Sequence, residues 1–124
     1  HAGGATDAEL AVILQQVKLD DLPERVGGFD GEFKWKDLLS LGEQQQIAFA
    51  RLLLNHPAYA FLDEATSALD AANETLLYKR LTAAQITVVS VGNRATLHQY
   101  HHTVLELLGN GAWRISSTNC SRTA

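Results

Sequence analysis

The run Ala58-Tyr59-Ala60-Phe61-Leu62 stops abruptly at Asp63-Glu64. A short, unbroken apolar run with polar flanks reads as a strand covered on both faces, as in a parallel sheet. Parallel strands cannot be joined by a tight turn, so a long crossover must follow. One does. Ala71 through Ala83 suit a helix with Leu76, Leu77 and Leu81 turned inward. Ile86 through Val91 are apolar and largely β-branched, which suits a second buried strand. Strand, helix, strand in this order makes the fold α/β.

The flanking segments complete the outline. Thr6 through Val17 read as an amphipathic helix, with Thr6 and Glu9 at capping-box spacing and Leu10, Ile13, Leu14 and Val17 on one face. Leu22-Pro23 closes that unit, and Gly27-Gly28 with Gly31 mark a loop rather than a dinucleotide fingerprint. A second helix begins near Ser40 and runs to about Leu54, before Asn55-His56-Pro57. Its expected buried stripe is Ile47, Ala50, Leu53 and Leu54. Thr103 to Leu107 and Ala112 to Ser116 alternate around Gly109-Asn110-Gly111, a hairpin signal. Trp113 and Ile115 alternate there in a core pattern, and Trp35 also reads as a packing residue. The tail from Ser117 is polar and expected to be loose.

Composition removes several classes of function. Hydrophobic residues make up 46% of the 124, enough for a globular core. The net charge of -4 gives no electrostatic footprint for nucleic acid, so none is expected as a partner. Cys120 is the only cysteine, which excludes an internal disulfide and fits a reducing cytosol. No apolar run approaches the roughly 20 residues that span a bilayer, and no signal peptide is visible. His98, His101 and His102 have no Cys nearby and read as structural or surface residues rather than metal ligands.

Three constellations carry chemistry. Leu39-Ser40-Leu41-Gly42-Glu43 is a capped helix start, with Ser40 as N-cap and Glu43 at N3. The same geometry presents unpaired N–H groups and the positive dipole end to a phosphate, and Gly42 permits close approach. Both readings can hold together. Asp63-Glu64 ends a strand where α/β sheets bind ligands. Asp63 is placed to hold Mg²⁺ through water, and Glu64 to poise a water for attack on a γ-phosphate. The bland alternative is a core strand ending in solvated acids. Ala65-Thr66-Ser67-Ala68-Leu69-Asp70 then reads as a polar loop with a helix cap at Asp70.

In this order, Leu39 to Asp70 resembles the signature motif, Walker B motif and D-loop of the ATP-binding cassettes of ABC transporters. Ser90-Val91-Gly92-Asn93-Arg94 falls where that family has its switch loop. The pattern from Trp35 to Gln44 resembles one branch, that of the peroxisomal fatty-acyl transporters and the bacterial peptide and cobalamin uptake proteins. The resemblance implies a partial P-loop NTPase (RecA-like) core with part of the ABC helical subdomain. Residues 1–56 would be helical subdomain, 57–116 the end of the core, and 117–124 the tail. It also implies ATP and Mg²⁺ as cofactors, with Ser40, Leu41, Gly42, Glu43 and Asp70 on nucleotide and Glu64 and Asn93 catalytic. The implied partners are a second cassette, joined head to tail, and a transmembrane domain. The implied place is the cytoplasmic face of a membrane.

The departures are specific. Leu41 and Glu43 replace a Gly and a Gln of the usual signature, a version familiar in the branch just named. Gln46 stands where an Arg is common, and Asn93 where a His contacts the γ-phosphate. No Gly-x-x-x-x-Gly-Lys-Ser/Thr loop and no glutamine loop is present, so both are expected upstream of His1 in a longer protein. The chain alone is therefore expected not to hydrolyse ATP, and to self-associate through uncovered strands. Two other readings stay open: a soluble ABC ATPase of DNA repair or translation, and a non-catalytic regulatory cassette.

Overall fold

Two parallel strands, β1 (Tyr59–Asp63) and β2 (Thr87–Val91), form the first sheet. Helix α5 (Ala71–Ala83) connects them, so the expected α/β unit is present with the expected helix limits. The structure is a computed structural model that describes residues 4–118, and Cys120 with the rest of the tail lies outside the described residues. Four helices precede β1: α1 (Asp7–Gln16), α2 (Leu22–Arg25), α3 (Trp35–Leu38) and α4 (Leu41–Asn55). After β2, a 3-10 helix (Ala95–Tyr100) leads into the antiparallel hairpin β3 (Thr103–Gly109) and β4 (Ala112–Ser117). Ser117 thus ends a strand rather than beginning a loose tail.

Local chemistry sets these limits. Thr6 and Ser40 both complete reciprocal capping boxes, with Glu9 and Glu43. Helix α4 ends at His56, a C-cap in left-handed geometry at φ 44°, just before Pro57. Pro23 does not simply close the first helical unit. It sits in the first turn of α2, where its missing N–H costs no hydrogen bond. The hairpin turn needs three consecutive left-handed residues, and Gly109, Asn110 and Gly111 supply them.

The core lies between α4, α5 and one face of the sheet. Phe49, Leu53, Ala60, Leu62, Leu77, Tyr78 and Leu81 are all buried there. Tyr78 is its hub. Its ring stacks on Tyr100 at 4.3 Å and meets Phe49 and His101 edge-on. Its hydroxyl shares a 2.7 Å hydrogen bond with Ser90 on β2. One residue therefore ties α4, α5, β2 and the 3-10 helix together.

Four expectations about burial are corrected. β1 is covered on one face only: Ala60 and Leu62 are buried, while Tyr59 and Phe61 are 68% and 80% exposed. Val89 and Val91 lie on the same open face of β2. Helices cover a single side of this sheet among the described residues, so its strands show the alternation of a half-covered sheet. The buried stripe of α4 is Gln46, Phe49, Ala50 and Leu53, with Ile47 and Leu54 half-buried. Gln46 is tolerated inside because its amide donates to the Val17 carbonyl at 2.8 Å. On α5, Glu74 and Tyr78 are buried and Leu76 only half so. Trp113 and Ile115 are 62% and 59% exposed, because among the described residues the hairpin strands pair only with each other. Trp35, 42% exposed, does act as a packing residue, edge-on against Phe33.

The hub position of Tyr78 gives a graded prediction. Tyr78→Phe loses one buried hydrogen bond and should cost about 1 kcal/mol. Tyr78→Ala also opens a cavity and should cost about 3–5 kcal/mol. Urea unfolding of the three proteins checks the ordering, and equal midpoints for the parent and the Ala variant would contradict it.

Candidate functional site

Asp63 pairs with Val91 at the carboxyl end of the parallel sheet. The next amide, Glu64 N–H, donates to the Val91 carbonyl at 2.9 Å. Glu64 and Gly92 thus emerge side by side from adjacent strand ends. Asp63, Glu64 and Asn93 are all exposed. The place is the one where open α/β sheets receive ligands. Glu64 has φ 47°, a left-handed conformation uncommon for a residue with a Cβ. Exposed carboxylate oxygens at Asp63 are the donor type that a hydrated Mg²⁺ accepts.

The start of α4 joins the same region. Ser40 Oγ accepts from the Glu43 amide at 3.2 Å, and a Glu43 carboxylate oxygen accepts from the Ser40 amide at 2.8 Å. The capped-helix reading is therefore satisfied in full. A cap occupies only part of a helix start, and the amides of Leu41 and Gly42, at N1 and N2, have no intrahelical acceptor. Gly42 lies against the loop after β1: a Cβ there would come within 3.3 Å of the Ala68 carbonyl oxygen. Asp70 caps α5 by accepting from the Asn73 amide at 2.7 Å.

Four polar residues of this region were not singled out by sequence reasoning. Gln45 donates to the Glu64 carbonyl and the Ser67 hydroxyl, and accepts from the Ala68 amide. Arg94 donates to the carbonyls of Thr66, Ser67 and Leu69. Glu74 is buried and accepts from Thr66 Oγ1 at 2.7 Å and from Arg94 at 3.4 Å. Arg25 bonds Glu43 at 2.6 Å and Asp21 at 3.3 Å. Position gave a clue only for Gln45 and Arg94, which flank the two motifs. Among the described residues, no group of three or more His, Cys, Asp or Glu side chains is gathered for a metal ion. His101 packs against Tyr78, and its burial, with His102 and His98 nearby, holds its pKa below the usual histidine value.

Comparison with known proteins places this geometry. Residues 4–67 match the ABC transporter family. An uncharacterized ABC transporter ATP-binding protein of Synechocystis sp. is 51% identical over 93% of this chain and 17% of its own length. The ABC transporter D family member 2, chloroplastic, of Arabidopsis thaliana is 48% identical over 82% of this chain and 14% of its own. The lysosomal cobalamin transporter ABCD4 of Mus musculus is 41% identical over 93% and 19%. A bacterial Atm1-family ABC exporter, solved with ATP bound, superposes with a TM-score of 0.68 at 33% identity, over 82% of this chain and 18% of that one. The chain belongs to the ABC transporter family. The branch suggested by Trp35 to Gln44 agrees with the D-family relatives. The chain spans less than a fifth of the length of each of these proteins. No helix among the described residues is long and apolar enough to cross a membrane.

The cap of α4 carries a pH prediction. The Arg25 guanidinium, and after it the Ser40 amide, hold the Glu43 carboxyl below its ordinary value of 4.5. A depressed folded value means that the stabilisation is fully present above the unfolded pKa. It is lost as pH falls through the folded one. Carboxyl NMR titration of Glu43 should give a midpoint below 4.5, and Arg25→Met should move it upward. A midpoint at or above 4.5 in the parent would contradict the assignment.

Proposed function

We propose that this chain is the later part of an ATP-binding cassette that couples MgATP hydrolysis to transport. The reading is carried by one observation: Glu64 and Gly92-Asn93 leave adjacent ends of a parallel pair, fixed by the Glu64 amide on the Val91 carbonyl. In this reading residues 1–56 belong to the helical subdomain and 57–116 to the end of the core, followed by the tail. Ser40, Leu41, Gly42 and Glu43 would face the ATP of a second cassette, with Asp70 at the crossing between the two. The ATP seen in the related exporter structure supports a nucleotide at such a site. A transmembrane domain would be the other partner, with the cassette on the cytoplasmic face of the membrane. The phosphate-binding loop would come from an upstream segment, and the chain alone would be inactive.

The residues then have separate tasks. Asp63 would hold Mg²⁺ through water, and Mg²⁺ when bound supplies charge neutralisation on the phosphate oxygens. Glu64 would accept a proton from the attacking water. The free amides at Leu41 and Gly42 suit an anionic phosphate at the start of α4. Asn93 would donate a neutral hydrogen bond where an imidazole could carry charge.

Two measurements on the complete polypeptide test this reading. Glu64→Gln should nearly abolish turnover and leave ATP binding and cassette pairing intact, because the amide cannot act as a carboxylate base. Turnover within a few-fold of the parent would remove Glu64 from the role of base. Asn93→His should raise turnover at saturating ATP. A charge-assisted contact to the transition state contributes a few kcal/mol, on the order of a hundredfold in rate. Asn93 is also the one observation that favours a non-catalytic regulatory cassette. Absent turnover in the parent with tight MgATP binding would favour that second reading.

A further inference from the structure

We propose that Gln45 and Arg94 are positioning residues. They clamp the loop Glu64–Asp70 from two elements and thereby hold Glu64 in its left-handed geometry. The proposal rests on the reading of Glu64 given above and extends it to the residues that aim this side chain.

The loop between β1 and α5 lies outside sheet and long helix, and within it the Ser67 amide donates to the Glu64 carbonyl at 3.2 Å and the Leu69 amide to that of Thr66 at 3.0 Å. Its first residue nevertheless takes a backbone geometry that a Cβ disfavours, and such geometry persists only where the surroundings impose it. Gln45 imposes it from α4. Its Nε2 donates to the Glu64 carbonyl at 3.3 Å and to Ser67 Oγ at 2.9 Å, while its Oε1 accepts from the Ala68 amide at 3.0 Å. Arg94 imposes it from the end of β2, with bonds to the carbonyls of Ser67 at 2.8 Å and of Thr66 and Leu69 at 3.2 Å each. The buried Glu74 completes the clamp by holding both Thr66 and Arg94.

An ordinary ion pair does not account for Arg94. Its contact with Glu74 is, at 3.4 Å, longer than its three contacts to loop carbonyls. Its side chain is 38% exposed, so it is not there to fill the core. A planar guanidinium presents five N–H donors in a fixed fork, whereas a lysine ammonium presents three at one point on a flexible stem. Arg94 directly follows Asn93, and Gln45 lies just beyond Ser40–Glu43. The clamp thus ties the strand-end acid, the helix start and the turn after β2 to one loop.

The test uses the complete polypeptide with Arg94→Lys, Gln45→Met and the double variant. Hydrogen exchange without nucleotide is read first. Each single variant should speed exchange at the Ser67, Ala68 and Leu69 amides by about tenfold or more. Unchanged exchange in either one overturns the proposal, whatever the enzyme does. ATP turnover is read next. Each single variant should lower kcat, by up to about a hundredfold, with KM for ATP within a few-fold of the parent. The double variant should be no slower than the slower single, because residues that hold one loop act as a unit. Three outcomes overturn the proposal: full kcat in Arg94→Lys, losses in the double variant that multiply, or a drop in thermal stability with kcat unchanged. A parent that does not hydrolyse ATP overturns the reading of Glu64, while the exchange result still decides the clamp.

Discussion

A carboxylate with 1% of its surface exposed sets the terms for the middle of this molecule. Burying the charge of Glu74 is costly unless hydrogen bonds and an opposite charge replace its water. Thr66 supplies the short hydrogen bond, and Arg94 supplies the charge. Arg94 can reach Glu74 only if the chain turns back over α5 straight after β2. Once there, the Nη1 that faces Glu74 also donates to the Thr66 and Leu69 carbonyls, and Nη2 donates to that of Ser67. The loop from Glu64 to Asp70 is thereby held by Glu74 at Thr66 and by Gln45 of α4 at Glu64, Ser67 and Ala68.

What was legible in the sequence was local. Thr6 with Glu9 and Ser40 with Glu43 announce their caps because each box closes within one helical turn. The limits of α5 and the turn at Gly109-Asn110-Gly111 are equally local in origin. The position of Asp63 and Glu64 at a strand end was legible too, although an apolar run that stops at two acids is a weak signal by itself. Which way a helix faces was not. Gln46 and Glu74 are buried because Val17, Thr66 and Arg94 come to them from distant parts of the chain, and no periodicity records that. The contacts of Gln45 and Arg94 were not legible for the same reason: most of their partners are backbone atoms of another segment, which carry no residue identity.

The open faces have a common cause. Tyr59, Phe61, Val89 and Val91 on one sheet, and Leu105, Leu107, Trp113 and Ile115 on the hairpin, all carry apolar side chains into solvent. The register places Leu105 opposite Ile115 and Leu107 opposite Trp113, so that face of the hairpin is a continuous apolar ladder. Its other face carries an ion pair between Glu106 and Arg114. A surface so apolar on one side is composed to be covered. The chain spans under a fifth of the related proteins, and the apolar runs of β1 and β2 carry the composition of strands covered on both faces.

The parallel register of β1 and β2 also bears on the order in which this chain can assemble. The hairpin closes over three turn residues, a search that takes microseconds. The parallel pair must close over everything from Glu64 to Ile86, at a larger entropic cost than the hairpin. The hairpin is thus free to form early. The contacts that bring Glu64 beside Gly92 join segments much farther apart in the chain than those of the hairpin.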